Sequence, residues 1–444
     1  MIKQHLRQAW TMMKQHRLFT GIYIAGTTLS VTMIMITFGV LYIKFGPIYP
    51  EGNRDRMLCI KRISTTQKVP GGGMDMKKES GCSSKLAEMI KEDSRYLDHI
   101  SCTDRGDRKV YLSATPDKKS KRLKEWAIYA EEGFWNVYTY KFINGHPFNA
   151  EDVKTNNRVA VITGNTAMEL FETTEVSGRH IYVNGEELTI VGVVKDASPI
   201  TEESYSALIM PLGLCKAEPW QHSKELDLTW RYYIRATAKD ATQREELKKE
   251  IEEKLARYNA ADTTRIYSLD ERILNHVESQ FHSYGKEAYK DFVKEIALMV
   301  AAFLLIPAMC LSIMIHSRME QRMVEFGVRK AYGATGGSIV SQVLCENMLL
   351  TLVGGLIGLA ISVIVLYNAG EIVLFMYDSN ETLSDKLYDI ENFGAPQIDF
   401  SMIFSPSLFA TILIVCLAIN VTSALLPVLI KMRHSIVYSL NRRK

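Results

Sequence analysis

Residues 325–335 read EFGVRKAYGAT, a short basic stretch with two glycines, set between two long uncharged segments. Glu325, Arg329 and Lys330 offer charges for the rim of a protein contact, with Val328, Ala334 and Thr335 among and after them. Gly327 and Gly333 permit tight turns or close backbone approach. Such a stretch suits docking, not catalysis. A phosphate cradle needs G-x-x-x-x-G-K-[ST]; nothing matches it, and residues 333–338, GATGGS, lack its spacing and its lysine. Ten histidines are scattered without an H-E-x-x-H pair, and neither a C-x-x-C nor a nucleophile elbow appears. No catalytic, cofactor-binding or metal-ligating residue is expected in this chain. An energy source such as ATP has to come from another one.

The elements that position this stretch are apolar. Mean hydropathy is only −0.04 because long apolar runs are averaged with a large polar insert. Residues 18–43, 296–315, 347–370 and 408–430 each lack Asp, Glu, Lys, Arg and His. Each supplies the roughly 20 residues that a helix needs to cross about 30 Å of hydrocarbon. The expected fold class is a membrane protein with four transmembrane α-helices and a large mixed α/β extracytoplasmic domain, residues 45–290, between helices 1 and 2. Lys3, Arg7, Lys14 and Arg17 precede the first run, Arg318, Arg322, Arg329 and Lys330 follow the second, and Lys431, Arg433, Arg442, Arg443 and Lys444 close the chain. By the positive-inside rule these flanks are cytoplasmic, which puts both termini and the 316–346 loop inside and the acidic 371–405 loop outside. Residues 1–17, with Leu6, Trp10 and Met13 at helical spacing, read as an amphipathic surface helix, and residues 18–43 as an uncleaved anchor. Apolar runs without a midplane ionisable group argue against a secondary transporter and an intramembrane protease.

In the polar insert, strands are expected at 56–64, 124–130, 158–162 and 231–236, with a hairpin of 179–183 and 188–195 around Asn184-Gly185. Helices are expected at 83–91, 131–138, 165–171 and 242–258, the last laced by Glu245/Lys249 and Glu250/Lys254 pairs. The Gly71–Gly73 cluster within 69–76 and the charge run 118–124 read as solvated loops. Of seven cysteines, Cys59, Cys82, Cys102 and Cys215 face an oxidising exterior, where four thiols allow three full connectivities. Cys82–Cys102 is the first candidate for any disulfide. Gly354 and Gly358 form a GxxxG with Gly355 beside it, a pattern for close helix approach within the chain or between two copies. Pro307 and Pro427 are expected to bend their helices.

Residues 159–196, VAVITGNTAMELFETTEVSGRHIYVNGEELTIVGVVKD, resemble the extracytoplasmic core domain of MacB-type ABC transporter permeases. Residues 318–360, RMEQRMVEFGVRKAYGATGGSIVSQVLCENMLLTLVGGLIGLA, are similar to the FtsX-like permease domain. The order of one span, a large insert and three spans also matches, so the resemblance covers essentially the whole chain. One departure lies at residues 434–440, HSIVYSL, where that family usually has a proline before its last helical turn. The resemblance implies a permease subunit whose 325–335 stretch is a coupling helix seated on a cytoplasmic ATPase, with ATP and Mg held by that partner and no cofactor here. It also implies a second permease, identical or not, contact with membrane lipids, room for a periplasmic adaptor, no nucleic acid, and a bacterial inner membrane. The implied activity is mechanical transmission to the periplasmic side for export or extraction of a substrate. The alternatives are an FtsX-type regulator of cell-wall hydrolases, whose ectodomain is much smaller, and a receptor-like ligand-sensing module.

Overall fold

The computed structural model describes residues 17–69, 73–74, 77–104, 109–117, 120–198, 201, 203–215, 227–262, 264–270, 272–281, 286–321, 328, 331–333, 335–377 and 406–432. Residues 1–16, most of the 371–405 loop and the tail from 433 lie outside these, as do Glu325, Gly327, Arg329, Lys330 and Ala334 of the docking stretch. The chain divides into two compact units, residues 1–43 with 287–444, and residues 44–286.

The first unit is helical: α1 (Arg17–Phe45), α2 (Lys286–Gln321), α3 (Gly336–Tyr377) and α4 (Pro406–Met432). Apolar windows long enough to cross a membrane occupy Thr20–Phe45, Gly336–Asn368 and Pro406–Ser423. Each helix outruns the apolar run that announced it. α2 begins within the stretch assigned to the ectodomain, and α3 starts at Gly336, ahead of the run at 347, and ends past Gly370. The physical reason is that i→i−4 hydrogen bonds need neighbours along the chain, not apolar side chains. Pro307 and Pro427 lie inside α2 and α4.

The second unit is built on a twelve-stranded mixed sheet and a smaller five-stranded one. Across the large sheet the strands run Ile273–Asn275, Met57–Ile60, Tyr233–Ala238, Leu97–Asp104, Ala127–Ala130 and Leu208–Pro211. The order continues with Val159–Thr163, Glu186–Val194, His180–Val183, Val110–Ser113 and Leu123–Glu125, while Phe142–Gly145 pairs with the edge of Glu186–Val194 opposite Val159–Thr163. Two contacts are parallel, Val159–Thr163 on Glu186–Val194 and Leu208–Pro211 on Ala127–Ala130. Ser83 caps helix Ser84–Lys91, its hydroxyl accepting from the Leu86 amide at 3.2 Å. That helix and Arg244–Ala261 cover one end of the sheet through Leu86, Ile90, Leu247, Ile251 and Leu255, all buried. Helix Gly164–Phe171 covers the other end, and an aromatic cluster of Phe134, Tyr138 and Phe148 fills a third core.

Several expected boundaries move. The strand at 56–64 breaks after Ile60: Met57–Ile60 pairs in the large sheet, whereas Ile63–Val69 belongs to the small one. The strand at 124–130 is interrupted at Trp126, and the helix at 131–138 shrinks to the single turn Phe134–Val137. Within the supposed loop 69–76, Gly73–Met74 pairs with Lys68–Val69. Glu250 does meet Lys254, at 3.2 Å, while Glu245 lies beside Arg244 at 3.8 Å. The Asn184-Gly185 hairpin forms with φ of 51° and 88°, the two left-handed residues a tight turn requires.

Candidate functional site

The described part of residues 325–335 is a helical turn that stops. The Tyr332 amide donates to the Val328 carbonyl at 3.1 Å, and Gly333 follows at φ +90°. A Cβ on Gly333 would meet nothing within 4 Å. The φ is one that L side chains rarely adopt, so the backbone here favours glycine. Thr335 then opens α3, its hydroxyl and its carbonyl both accepting from the Ser338 amide at 3.3 and 3.1 Å. Tyr332, 89% exposed, and Val328, 43% exposed, stand as apolar side chains on this turn.

α3 is fastened to α1 by a repeated contact. The Thr28 hydroxyl donates to the Gly354 carbonyl at 3.1 Å, and one turn on Thr32 donates to the Gly358 carbonyl at 3.2 Å. The glycines leave room for this approach. A Cβ at Gly358 would lie 2.9 Å from the Thr28 carbonyl oxygen and 3.1 Å from the Val31 Cβ, and one at Gly354 would strike the Thr27 hydroxyl. Gly355 faces Leu413 of α4, where a Cβ would be 2.7 Å from a methyl group. Further hydrogen bonds join the four helices: the Tyr23 and Thr351 hydroxyls of α1 and α3 at 3.3 Å, Asn420 Nδ2 of α4 to Thr351 at 3.2 Å, and Ser30 of α1 to the Phe303 carbonyl of α2 at 2.8 Å. Inside apolar surroundings such bonds have few competitors, so they fix helix register.

Among the described residues no group of three or more His, Cys, Asp or Glu could hold a metal ion. Cys59, Cys82, Cys102 and Cys215 are thiols, which corrects the Cys82–Cys102 disulfide. Cys82 and Cys102 are each packed in the core, the Cys82 Sγ against the Ile60 carbonyl at 3.7 Å and the Cys102 Sγ against the Ser83 carbonyl at 4.0 Å. Burial pushes the Cys82 thiol up to about 12, far from the thiolate that disulfide chemistry uses. Half-buried Glu131 and buried His276 also titrate away from their ordinary values. Burial raises Glu131 to about 7 despite the Cys102 amide donating to it at 3.1 Å, and burial together with Arg54 lowers His276 to about 4.

Two family models match the sequence. The MacB-like periplasmic core domain matches residues 20–254, more than half of the chain, and the FtsX-like permease C-terminal domain matches residues 297–436. The chain belongs to the MacB/FtsX-like ABC transporter permeases. An uncharacterized ABC transporter permease of Bacillus subtilis, YknZ, is 26% identical over 237 residues, 52% of this chain and 54% of that protein. The macrolide export ATP-binding/permease protein MacB of Chromobacterium violaceum is 25% identical over 374 residues, 82% of this chain and 53% of that one. The chain thus spans about half the length of these curated relatives. The crystal structure of the periplasmic region of MacB from Actinobacillus actinomycetemcomitans aligns with a TM-score of 0.33 at 13% identity, over 51% of this chain and 94% of that one.

Two features of the helices escaped the sequence reading. Thr28 and Thr32 carry the same spacing of four as Gly354 and Gly358, a signal visible once the two helices are set side by side. Glu346 sits one residue before the apolar run 347–370 yet lies within the apolar window Gly336–Asn368, 2% exposed, beside buried Gln342 and Asn347. Its place on the stripe Val343, Asn347, Leu350, Thr351, Gly354 was legible from helical spacing alone.

Proposed function

We propose that this permease is the transmembrane subunit of a transporter in which a separate ATPase drives conformational change on the periplasmic side, for export or extraction of a periplasmic substrate. The observation that carries the proposal is the continuity of the docking turn with a fastened helix. Val328 and Tyr332 project from a turn that Gly333 ends, Thr335 starts α3 immediately after it, and α3 is hydrogen-bonded to α1 through Thr28 and Thr32. A push on the turn therefore has a stiff path into the helical unit. In this proposal α1 to α4 all span the bacterial inner membrane, both termini are cytoplasmic, and the chain itself is not catalytic. Exposed Leu305, Leu356, Ile364 and Ile414 offer surface to lipids and to a second permease, identical or not. A periplasmic adaptor is compatible with the ectodomain. ATP and Mg belong to the partner.

Three measurements test this. A cysteine introduced at Ser338 should resist an impermeant maleimide applied from outside, whereas one at exposed Lys249 should react; labelling at position 338 would reverse the orientation. The purified chain should hydrolyse no ATP until its co-purifying ATPase is added. Charge reversal at Arg329 with Lys330 should weaken capture of that ATPase without altering ectodomain folding, and intact capture and activity would reduce the stretch to a topology signal.

A further inference from the structure

Two buried arginines in the 44–286 unit are each paired with a carboxylate, and one short loop reaches both. Arg54, 3% exposed, donates through Nε to Glu51 at 2.7 Å and through Nη1 to the Lys44 and Gly46 carbonyls, each at 3.1 Å, where α1 ends. Arg235, fully buried in the strand Tyr233–Ala238, donates through Nη2 to Glu203, whose other oxygen is 2.9 Å from Lys61 Nζ. Ser204, the next residue, donates to the remaining oxygen of Glu51 at 2.7 Å. The dipeptide Glu203–Ser204 thus joins the segment leaving α1 to a strand flanked on both sides in the large sheet, between Met57–Ile60 and Leu97–Asp104. The loop carrying it is closed on itself: the Ser204 and Tyr205 amides donate to the Thr201 carbonyl at 3.0 and 2.8 Å. Its flanks are held as well, by the Tyr140 hydroxyl on the Ser204 carbonyl and the Tyr49 hydroxyl on the Lys195 carbonyl at 2.8 Å.

Stability gives little reason for this construction, because a buried ion pair is often no better than a well-packed apolar substitute. Its distinguishing property is direction. Charge-assisted hydrogen bonds hold their partners at fixed distance and angle, where apolar side chains can slide. Burial alone would raise the Glu203 carboxyl, but Arg235 and Lys61 outweigh it and hold it well below the ordinary range, so the connection stays charged.

We propose that Glu203 and Ser204 are positioning residues that tie the 44–56 segment to the centre of the sheet and pass its displacement on to the strand Tyr233–Ala238. This rests on the mechanical reading given above. The test is hydrogen exchange on the full chain reconstituted with its co-purifying ATPase, with and without ATP and vanadate. In the wild type both 44–56 and 233–238 should change exchange on trapping. In Glu203→Gln, ATPase capture, hydrolysis and the response of 44–56 should persist while the response of 233–238 falls roughly five-fold or more. A merely structural role would raise exchange equally in both nucleotide states and leave their difference intact. Glu250→Gln, which loosens the Lys254 pair on helix Arg244–Ala261, is the control and should keep both responses. If Glu203→Gln does not fold, Ser204→Ala removes one hydroxyl and carries the same expectation. Wild-type-sized responses at 233–238 in the variants overturn the tie alone; an unresponsive wild type with ATPase bound overturns the mechanical reading and the tie with it.

Discussion

Thr28 of α1 donates its hydroxyl to the main-chain carbonyl of Gly354 in α3 at 3.1 Å, and Thr32 repeats the contact at Gly358 one turn later. Carbonyls of a helix already accept from their own i+4 amides, so the threonines use the second lone pair, and only a glycine on the facing helix lets the hydroxyl come this near. The GxxxG of α3 is therefore occupied within the chain by a matching TxxxT.

From this contact follows an order of substitution costs. At Gly358 an added Cβ faces main chain, 2.9 Å from the Thr28 carbonyl oxygen, which cannot rotate away. At Gly354 an added Cβ meets the Thr27 hydroxyl, which donates to the Tyr23 and Ile24 carbonyls, and the Thr27 Cβ at 3.0 Å, but alanine adds that one atom only, where valine adds three. Gly358→Val should destabilise the helical unit by about 1–3 kcal/mol, Gly354→Ala by less, and Thr28→Val by about 0.6 kcal/mol through one lost hydrogen bond. Equilibrium unfolding in bicelles ranks the three. Equal costs at the two glycines would mean that α1 and α3 separate freely.

At the turn that Gly333 ends, folding and the proposed docking should come apart. Gly333 has open space around its Cα but a left-handed φ, so Gly333→Val is expected to cost about 1–2 kcal/mol of local backbone energy. Tyr332 is 89% exposed and adds almost nothing to folding, so Tyr332→Ala should leave thermal stability unchanged within about 0.5 kcal/mol. If the ring anchors a partner, its loss weakens ATPase capture by about 2 kcal/mol. Co-purification yield together with a melting curve separates these effects.

How much of this was readable beforehand depends on the range of the interaction. Ser83 before an amphipathic octapeptide and Asn184-Gly185 between apolar runs act over a few residues, and both elements appear where the sequence put them. Met57–Ile60 and Ile63–Val69 look like one strand because both are apolar-rich; they part at Lys61-Arg62 because their partners, Tyr233–Ala238 and Arg265–Ser268, lie in different sheets far along the chain. Arg235 carried no mark of its burial, since Glu203, which makes it tolerable, is 32 positions away. Glu325, Arg329 and Lys330 lie outside the described residues, and their docking role is a proposal from composition.

The cysteines offer a direct check on redox state. Cys59, Cys82 and Cys102 are buried, and Cys82 titrates near 12, so native protein should label slowly with maleimide at these positions. After denaturation all seven cysteines should react whether or not reductant is present. Intact mass decides it: two additional labels appearing only after reduction would establish a disulfide.

Glu131 and His276 should give the ectodomain a hidden pH balance. Glu131 is raised from 4.5 to about 7 in the folded chain, so the unfolded state loses its proton first and stability falls as pH climbs from about 4.5 to 7. His276 is lowered from 6.5 to about 4, so between those values only the unfolded state is protonated and stability rises with pH. Each shift corresponds to about 3 kcal/mol at most, and the two slopes oppose each other between pH 4.5 and 6.5. Wild-type stability should be nearly flat there as far as these two groups set it. Glu131→Gln should unmask a loss of stability on acidification, and His276→Gln a gain, measured as thermal midpoints of the purified full chain across that window. Parallel profiles for wild type and both variants would show that neither group titrates as its surroundings dictate.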